Sequence, residues 1–462
     1  MITPSVPTQE TGSGRLWVTY LNRYQWYVFC LAALGWLFDT FDQHIFTGSR
    51  SIAIQNLIPG ADANTLGRYG GYATALFILG WATGGLIFGT VGDRIGRAKT
   101  MGLTVLLYAV FTGLSGLAQN WWQFGLSRLI TGLGIGGEFA AGAALVAEVM
   151  PPNVRAKALG MLQALSAVGN IAAGFSLRLI PYMPHLGWRG LYLLGAAPAL
   201  IAVIVQLGLR EPDRWVQAKE AAREAGNNAA QGFGRYSDLF TNPRWRHNAL
   251  VGLGLAVSGV IGAWGLAFYS PELIDHALST LSAADVNRYK SWAFVLQHSG
   301  AFAGILGFSY VGVWFGRRLA FLLAFIVAWI SVLVVFTGFH RPDQIWYMFP
   351  LLGFGTLAPF GLYAVYFPEI FPTKLRTTGT GFCYNVGRYL SVAGVLLMPS
   401  LAPALHGFLG LPGFRAAAVV VSCCYLIGIV SVLWAPETKG RPLPEDEVSA
   451  TELGDVATAI GR

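Results

Sequence analysis

One stretch of this chain is written twice. Glu148-Val-Met-Pro-Pro-Asn-Val-Arg155 returns as Glu369-Ile-Phe-Pro-Thr-Lys-Leu-Arg376, 221 residues later. Gly92-Asp93-Arg94-Ile-Gly96-Arg97 returns as Gly312-Val-Trp-Phe-Gly316-Arg317, 220 residues later and with the acid replaced by Val313. Two different motifs that share nearly one offset imply a chain made of two copies of one half. Such halves are expected to pack as equivalent units about a shared axis, with room for a site between them.

The medium in which the halves fold follows from composition. The chain is 54% hydrophobic and 12% charged, too little charge to cover a soluble 462-residue protein, so an all-α polytopic membrane protein is expected. Its 58 glycines suit helices that approach closely in lipid. Apolar runs of about 20 residues give twelve transmembrane helices, near 25–45, 70–91, 99–118, 122–148, 157–180, 189–209, 248–274, 291–313, 318–339, 344–367, 377–400 and 414–435. They divide the chain into a six-helix bundle (1–209), a linker (210–247), a second, pseudo-symmetric six-helix bundle (248–436) and a tail (437–462). The linker, with Lys219, Arg223, Arg235 and a turn at Asn227-Asn228, reads as an amphipathic, solvated or headgroup-facing segment. Met1 to Tyr24 is polar and lacks the order of a cleaved signal peptide, so the first span is expected to insert intact.

Orientation comes from Lys and Arg. Arg94, Arg97 and Lys99, Arg155 and Lys157, Arg317 and Arg318, and Lys374 and Arg376 all fall in even-numbered connections. Those loops and both termini are expected on the cytoplasmic side of the cell (inner or plasma) membrane. The net charge of +8 is then a topology signal and requires no nucleic acid. Cys30, Cys383, Cys423 and Cys424 lie in apolar runs without metal-site spacing, and read as buried packing residues. No metal site, cofactor or enzymatic constellation is expected. The expected partners are the bilayer and a small-molecule substrate, with a monomer as the unit.

The motifs resemble those of the major facilitator superfamily. Gly89-Thr-Val-Gly92-Asp93-Arg94-Ile-Gly96-Arg97-Ala-Lys99 is similar to its signature between spans two and three. The run Arg128…Gly132-x-Gly134-x-Gly136-Gly137, the pair Glu148…Arg155 and the exit Pro436-Glu437-Thr438-Lys439-Gly440 also resemble that family, so the likeness covers essentially the whole chain. It implies two six-helix bundles, a central cavity and alternating access, with contacts among Gly92, Asp93, Arg94, Arg97, Glu148, Arg155, Glu369 and Arg376 breaking and reforming as a gate. The residues support such a latch on their own. Asp93 can sit at a helix N-terminus, where an anion is favoured, and Arg94 and Arg97 can pair with Glu148. With Val313 in place of the second acid, the gate is expected to be asymmetric.

Ionisable residues at membrane depth are costly and mark function. Asp39 and Asp42 lie about 21 and 26 Å along a first helix starting near Gln25, at 1.5 Å per residue, and their i,i+3 spacing puts both on one face. Carboxylates held close repel, which suits a site that takes up a proton. Arg128, at a depth similar to Asp42, is the natural partner, and Glu138 lies about 15 Å deeper, as a proton relay or an anchor. Arg388 lies about 18 Å into span eleven, near the midplane, and that span offers it no acid. A mobile substrate anion is its expected partner, with a fixed pair to Asp39 or Glu138 as the alternative. Asn385, Tyr384, Gln297 and Asn170 complete the expected substrate site, while His298 reads as a packing residue.

Within the superfamily, Asp39-Thr-Phe-Asp42, Glu138 and Asn385-Val-Gly387-Arg388 resemble proton symporters of organic acids, such as carriers of aromatic acids and sialic acid. Thr40 stands where those carry Gly. Phe268-Tyr269-Ser-Pro271 and the Pro436–Gly440 exit resemble sugar porters, which usually carry a Gln pair in span seven that Val257 to Gly262 lacks. Span five, from Leu165 to Gly174, has no proline of the drug-efflux kind, and a 26-residue tail is short for a nutrient sensor. The expectation is a secondary active transporter, with proton-coupled uptake of a small organic carboxylate favoured over a sugar.

Overall fold

A computed structural model describes residues 17–61, 63–176, 186–196, 208–224 and 233–444. The Asn227-Asn228 turn, residues 1–16, the end of the fifth expected span, most of the sixth and the tail from 445 lie outside the described residues. The helices are α1 (Arg23–Leu57), α2 (Ala63–Ile95), α3 (Arg97–Leu117), α4 (Trp121–Val149), α5 (Pro152–Ser176), α6 (residues 188–196), α7 (Asp213–Glu224), α8 (Tyr236–Thr241), α9 (Pro243–Gly265), α10 (Ser270–Ala277), α11 (Ala283–Phe315), α12 (Arg317–Gly338), α13 (Ile345–Glu369), α14 (Arg376–Ala404), α15 (Gly413–Ser422) and α16 (Cys424–Val432).

Among the described residues nine helical segments are long and apolar enough to cross a membrane. They fall on the expected spans two to five, seven to ten and twelve. The other three have identifiable reasons for standing apart. The sixth lies largely outside the described residues. The first, α1, is 35 residues long, beyond the expected 25–45, but Asp39 to His44 dilute its apolar character. The eleventh, α14, runs through residues 391–400, whose side chains lie outside those described. In α1, the residues that weaken the membrane signal include Thr40, Gln43 and His44 of the candidate site.

The repeat is visible in the packing. Helix α2 packs on α4 and α11 on α13; α3 packs on α4 and α12 on α13; α1 packs on α5 and α9 on α14. Each contact in the first half has its counterpart in the second. Between halves, α5 meets α11 and α2 meets α14, two seams exchanged by the same equivalence. Glycines bring the helices this close: a Cβ on Gly84 would lie 2.0 Å from the Leu133 carbonyl oxygen, and one on Gly353 would lie 1.7 Å from that of Gln297. Leu79, Ile87, Leu103 and Val110 are exposed on the outer surface, as expected of faces solvated by lipid chains. Cys383 is buried and Cys424 half-buried, but Cys30 and Cys423 are exposed, so those two are outward-facing and do not fill the core.

Candidate transport cavity and latch

At one end of the molecule, the latch face, three groups of contacts join the halves. Asp93, at the end of α2, accepts hydrogen bonds from the Thr377 amide (3.1 Å), the Thr378 amide (2.8 Å) and the Thr378 hydroxyl (2.6 Å). A carboxylate from the first half thus caps the N-terminus of α14 in the second, satisfying amides that have no partner within the helix. Arg97 pairs with Asp93 and Glu148, each at 3.1 Å, and donates to the Thr373 carbonyl at 2.5 Å. Arg376 reaches Glu148 from the second half at 2.5 Å. All four charged side chains are buried.

The second half repeats part of this. Arg317 pairs with Glu369 at 2.9 Å and donates to the Gly312 carbonyl, as Arg97 does to that of Gly92. Gly96 and Gly316 occupy φ of +116° and +96°, conformations that suit glycine alone. Each lets a carboxylate approach the helix that follows. Glu211 accepts from the Ala98 and Lys99 amides, and Glu437 from those of Arg317 and Arg318. Burial pushes the Glu437 carboxyl up, but the amides of Arg317, Lys439, Arg318 and Thr438 together outweigh it and hold it below the ordinary glutamate value. No such acid stands at Val313, and the two halves of the latch differ there.

A cavity of about 360 Å³ opens between the bundles above the latch. Its aromatic walls include Trp36, Trp81, Trp264, Phe294, Phe360 and Tyr384, and Gln163, Asn170, Gln297, His44, His298 and Arg388 add polar groups. Towards the face opposite the latch it is lined by Arg50 and Glu272. Arg388 is 3% exposed, with its guanidinium 4.1 Å from the Trp81 ring and 4.3 Å from that of Tyr384. It donates to the Tyr384 carbonyl at 3.0 Å and to Asn385 Oδ1 at 2.6 Å. Asn385 Nδ2 is committed to the Gly381 carbonyl, which turns its oxygen towards Arg388. The guanidinium is therefore held in place from within its own helix, beside the hollow.

Comparison with known proteins decides the family. The Major Facilitator Superfamily signature matches residues 44–395, most of the chain. The protein belongs to the Major Facilitator Superfamily. Residues 344–449 also match the sugar (and other) transporter family. This member is 30% identical over 427 residues to a putative metabolite transport protein of Haemophilus influenzae, covering 92% of this chain and 99% of the relative. It is 28% identical to the cis,cis-muconate transport protein of Acinetobacter baylyi, covering 90% and 95%. Its fold matches that of the proton:xylose symporter XylE bound to 6-bromo-6-deoxy-D-glucose, with a TM-score of 0.71, 18% identity and coverage of 91% and 98%. This superfamily member is a multi-pass membrane transporter of small molecules and not an enzyme.

The structure sorts the site residues anticipated from sequence. Arg388, Tyr384, Gln297 and Asn170 line the cavity. Asn385 does not, but braces Arg388 from behind. Arg128 does not line it either: it is locked inside the first bundle, paired with Asp42 at 3.1 Å and donating to Ser115 and Thr131. Its placement in the substrate site is corrected on that ground. Asp39 and Asp42 share a helix face but not a partner, since three residues turn the helix by about 300° and leave them about 60° apart. Asp42 turns to Arg128, whereas Asp39 faces Glu138 and Tyr108. Glu138 fills the space left by Gly35, where a Cβ would lie 2.5 Å from Oε1. All four oxygens of Asp39 and Glu138 are buried without a hydrogen-bond partner among the described residues.

At the latch, Arg94 is exposed and donates to the Phe233 carbonyl of the linker, so it does not pair with Glu148. Arg155 is buried there near Glu369 but forms no ion pair among the described residues, and its Nε lacks a hydrogen-bond partner among them. The linker is more than a solvated surface. Trp215 on α7 is buried and donates to the Asp93 carbonyl at 2.8 Å, and Lys219 Nζ contacts the Arg94 carbonyl. Sequence reasoning missed Glu211, whose signal was an acid just after the last span of its half, as at Glu437. It also missed His44, which meets His298 across the cavity.

Proposed function

We propose that this transporter takes up a small organic carboxylate together with protons, by alternating access in the plasma membrane, with the latch and both termini in the cytoplasm. The observation that carries the reading is Arg388: a permanently charged guanidinium, braced by Asn385 and set in the aromatic wall of the cavity. A fork of donors at that place suits a carboxylate, and the flanking rings suit a flat apolar body. The likeness to a muconate transport protein supports the same class.

Asp39 and Glu138 serve as the coupling site in this reading. A carboxyl buried without donors is cheaper neutral than charged. Substrate on Arg388 and a proton on this pair together lower the cost of closing the cavity, after which the Asp93–α14 and Glu148–Arg376 contacts part. Asp42 and Arg128 hold the helices of the first bundle in register. One proton carried with one monoanion moves no net charge, so the membrane potential, about 2.3 kcal/mol per charge per 100 mV, would add nothing. A two-carboxyl site also accommodates two protons, and uptake would then be electrogenic.

The test is a thermal-shift and binding screen of the purified protein with carboxylates and neutral sugars at two pH values, repeated for Arg388→Lys. Carboxylates should stabilise the wild type, and the variant should bind them at least about tenfold more weakly through loss of the bidentate fork. Equal affinity in the variant would remove Arg388 as the anion site. A sugar is the second reading, favoured by the match to the sugar transporter family and by the amides of Gln163, Asn170 and Gln297 in the cavity. Stabilisation by sugars alone would establish it.

A further inference from the structure

We propose that His44 and His298 form a second substrate subsite, a pair of hydrogen-bond acceptors that takes a hydroxyl on the far side of the molecule from its carboxylate. The inference rests on the carboxylate reading of Arg388 and adds what the other end of the substrate must be. The two rings come from opposite bundles, α1 and α11. Their centroids are 5.2 Å apart and nearly perpendicular, and Phe294 packs against both, at 5.4 and 4.3 Å. Both line the cavity.

Each imidazole is oriented by its own helix. His44 Nδ1 is 3.1 Å from the Thr40 carbonyl, and His298 Nδ1 is 2.9 Å from that of Phe294. A carbonyl oxygen only accepts, so each Nδ1 carries the hydrogen and each neutral ring presents its Nε2 lone pair. Two imidazolium charges this close would repel, which favours the neutral pair. Two neighbouring acceptors, one from each half, disfavour a carboxylate and attract O–H donors.

Depth gives the separation from Arg388. Trp36 and Tyr384 mark one level, their rings 6.5 Å apart, and α1 and α14 both run away from the latch. Arg388 is four residues beyond Tyr384 and His44 eight beyond Trp36, about 6 and 12 Å at 1.5 Å per residue. The histidines therefore lie roughly 6 Å further from the latch than the guanidinium. That axial step leaves the two polar ends of the cavity on either side of a space for a planar ring, and Trp81 and Trp264, 6.0 Å apart, wall the interval.

The experiment measures binding of benzoate and its 4-hydroxy and 4-carboxy derivatives to the wild type, His44→Phe, His298→Phe and Arg388→Lys. The wild type should bind the 4-hydroxy compound at least about tenfold more tightly than benzoate, because a lost hydroxyl leaves polar groups unsatisfied. Either Phe variant keeps a flat ring, and should bring that ratio close to one by weakening the 4-hydroxy compound more than benzoate. A wild-type ratio near one, an unchanged ratio in both Phe variants, or tightest binding of the 4-carboxy compound would overturn the subsite. In those cases a loss of binding in Arg388→Lys would still uphold the carboxylate reading. If none of the three compounds binds the wild type, the subsite falls, and the wider carboxylate screen alone decides the reading of Arg388. Should one Phe variant fail to fold, the wild-type ratio and the other variant still decide.

Discussion

Arg376 and Arg97 share one oxygen. Glu148 Oε1 lies 2.5 Å from Arg376 Nη1 and 3.1 Å from Arg97 Nη2, so a carboxylate of the first half holds guanidiniums from both, out of contact with solvent. Removing one member of a buried ionic cluster is far costlier than the cluster's own net contribution, about 3–5 kcal/mol, because the remaining charges stay buried. Glu148→Gln should lower the melting temperature markedly and open the latch face. Greater labelling of single cysteines placed along the α2–α14 seam would report the opening. Wild-type melting and labelling would mean that the cluster does not hold the halves together.

The two aspartates of α1 should behave differently. Asp42→Asn leaves Arg128 buried without its counter-ion, a loss of the same order, about 3–5 kcal/mol, and should be visible in melting temperature. Asp39→Asn replaces a carboxyl that has no hydrogen-bond partner among the described residues, so stability should hold or rise. Its expected defect is functional: accumulation against a gradient is lost, while exchange of labelled substrate down its gradient continues. Unimpaired accumulation in Asp39→Asn would take the proton away from this residue.

The contrast between these aspartates marks what was legible in the sequence. Depth along a helix can be counted, so Asp42 beside Arg128 and Arg388 near the middle of α14 could be read from residue number alone. Azimuth is harder. An i,i+3 pair looks like one face, yet the rotation between the two positions was enough to send Asp39 to Glu138. The latch was legible because its charges recur at a fixed offset, and Arg97–Glu148 duly has its counterpart in Arg317–Glu369. Glu211 was not, because its offset to Glu437 is 226 (437 − 211), and the neighbouring proline changes sides. His44 carried no pattern of its own; only the closing of the two halves brings it to His298.

Acid should weaken the second half of the latch through Glu437. Its carboxyl is held below the ordinary glutamate value by four backbone amides, despite partial burial that acts the other way. A depressed folded-state value contributes stability above the unfolded value and loses it as pH falls through the folded one. The melting temperature of the wild type should therefore exceed that of Glu437→Gln at neutral pH. The gap should close as the pH drops below the usual glutamate range. A gap independent of pH would show that the cap works without its charge.

The turn before α3 provides a test of coupling between backbone and side chain. Gly96 combines a φ of +116° with a ψ of 156°, and a Cβ there would lie 2.2 Å from the Glu211 carboxyl. Gly96→Ala should cost stability in two ways: by strain of about 1–3 kcal/mol in a region open to glycine alone, and by pushing Glu211 off the amides of Ala98 and Lys99. Glu211→Ala should remove only the second contribution, of order 1 kcal/mol for a helix cap. In the double variant the cap is already gone, so the two losses should sum to less than the separate effects, while the strain persists. Strictly additive losses, measured by denaturation in detergent, would mean that the glycine does not make room for the carboxylate. Full recovery on adding Glu211→Ala to Gly96→Ala would mean that the backbone itself is unstrained.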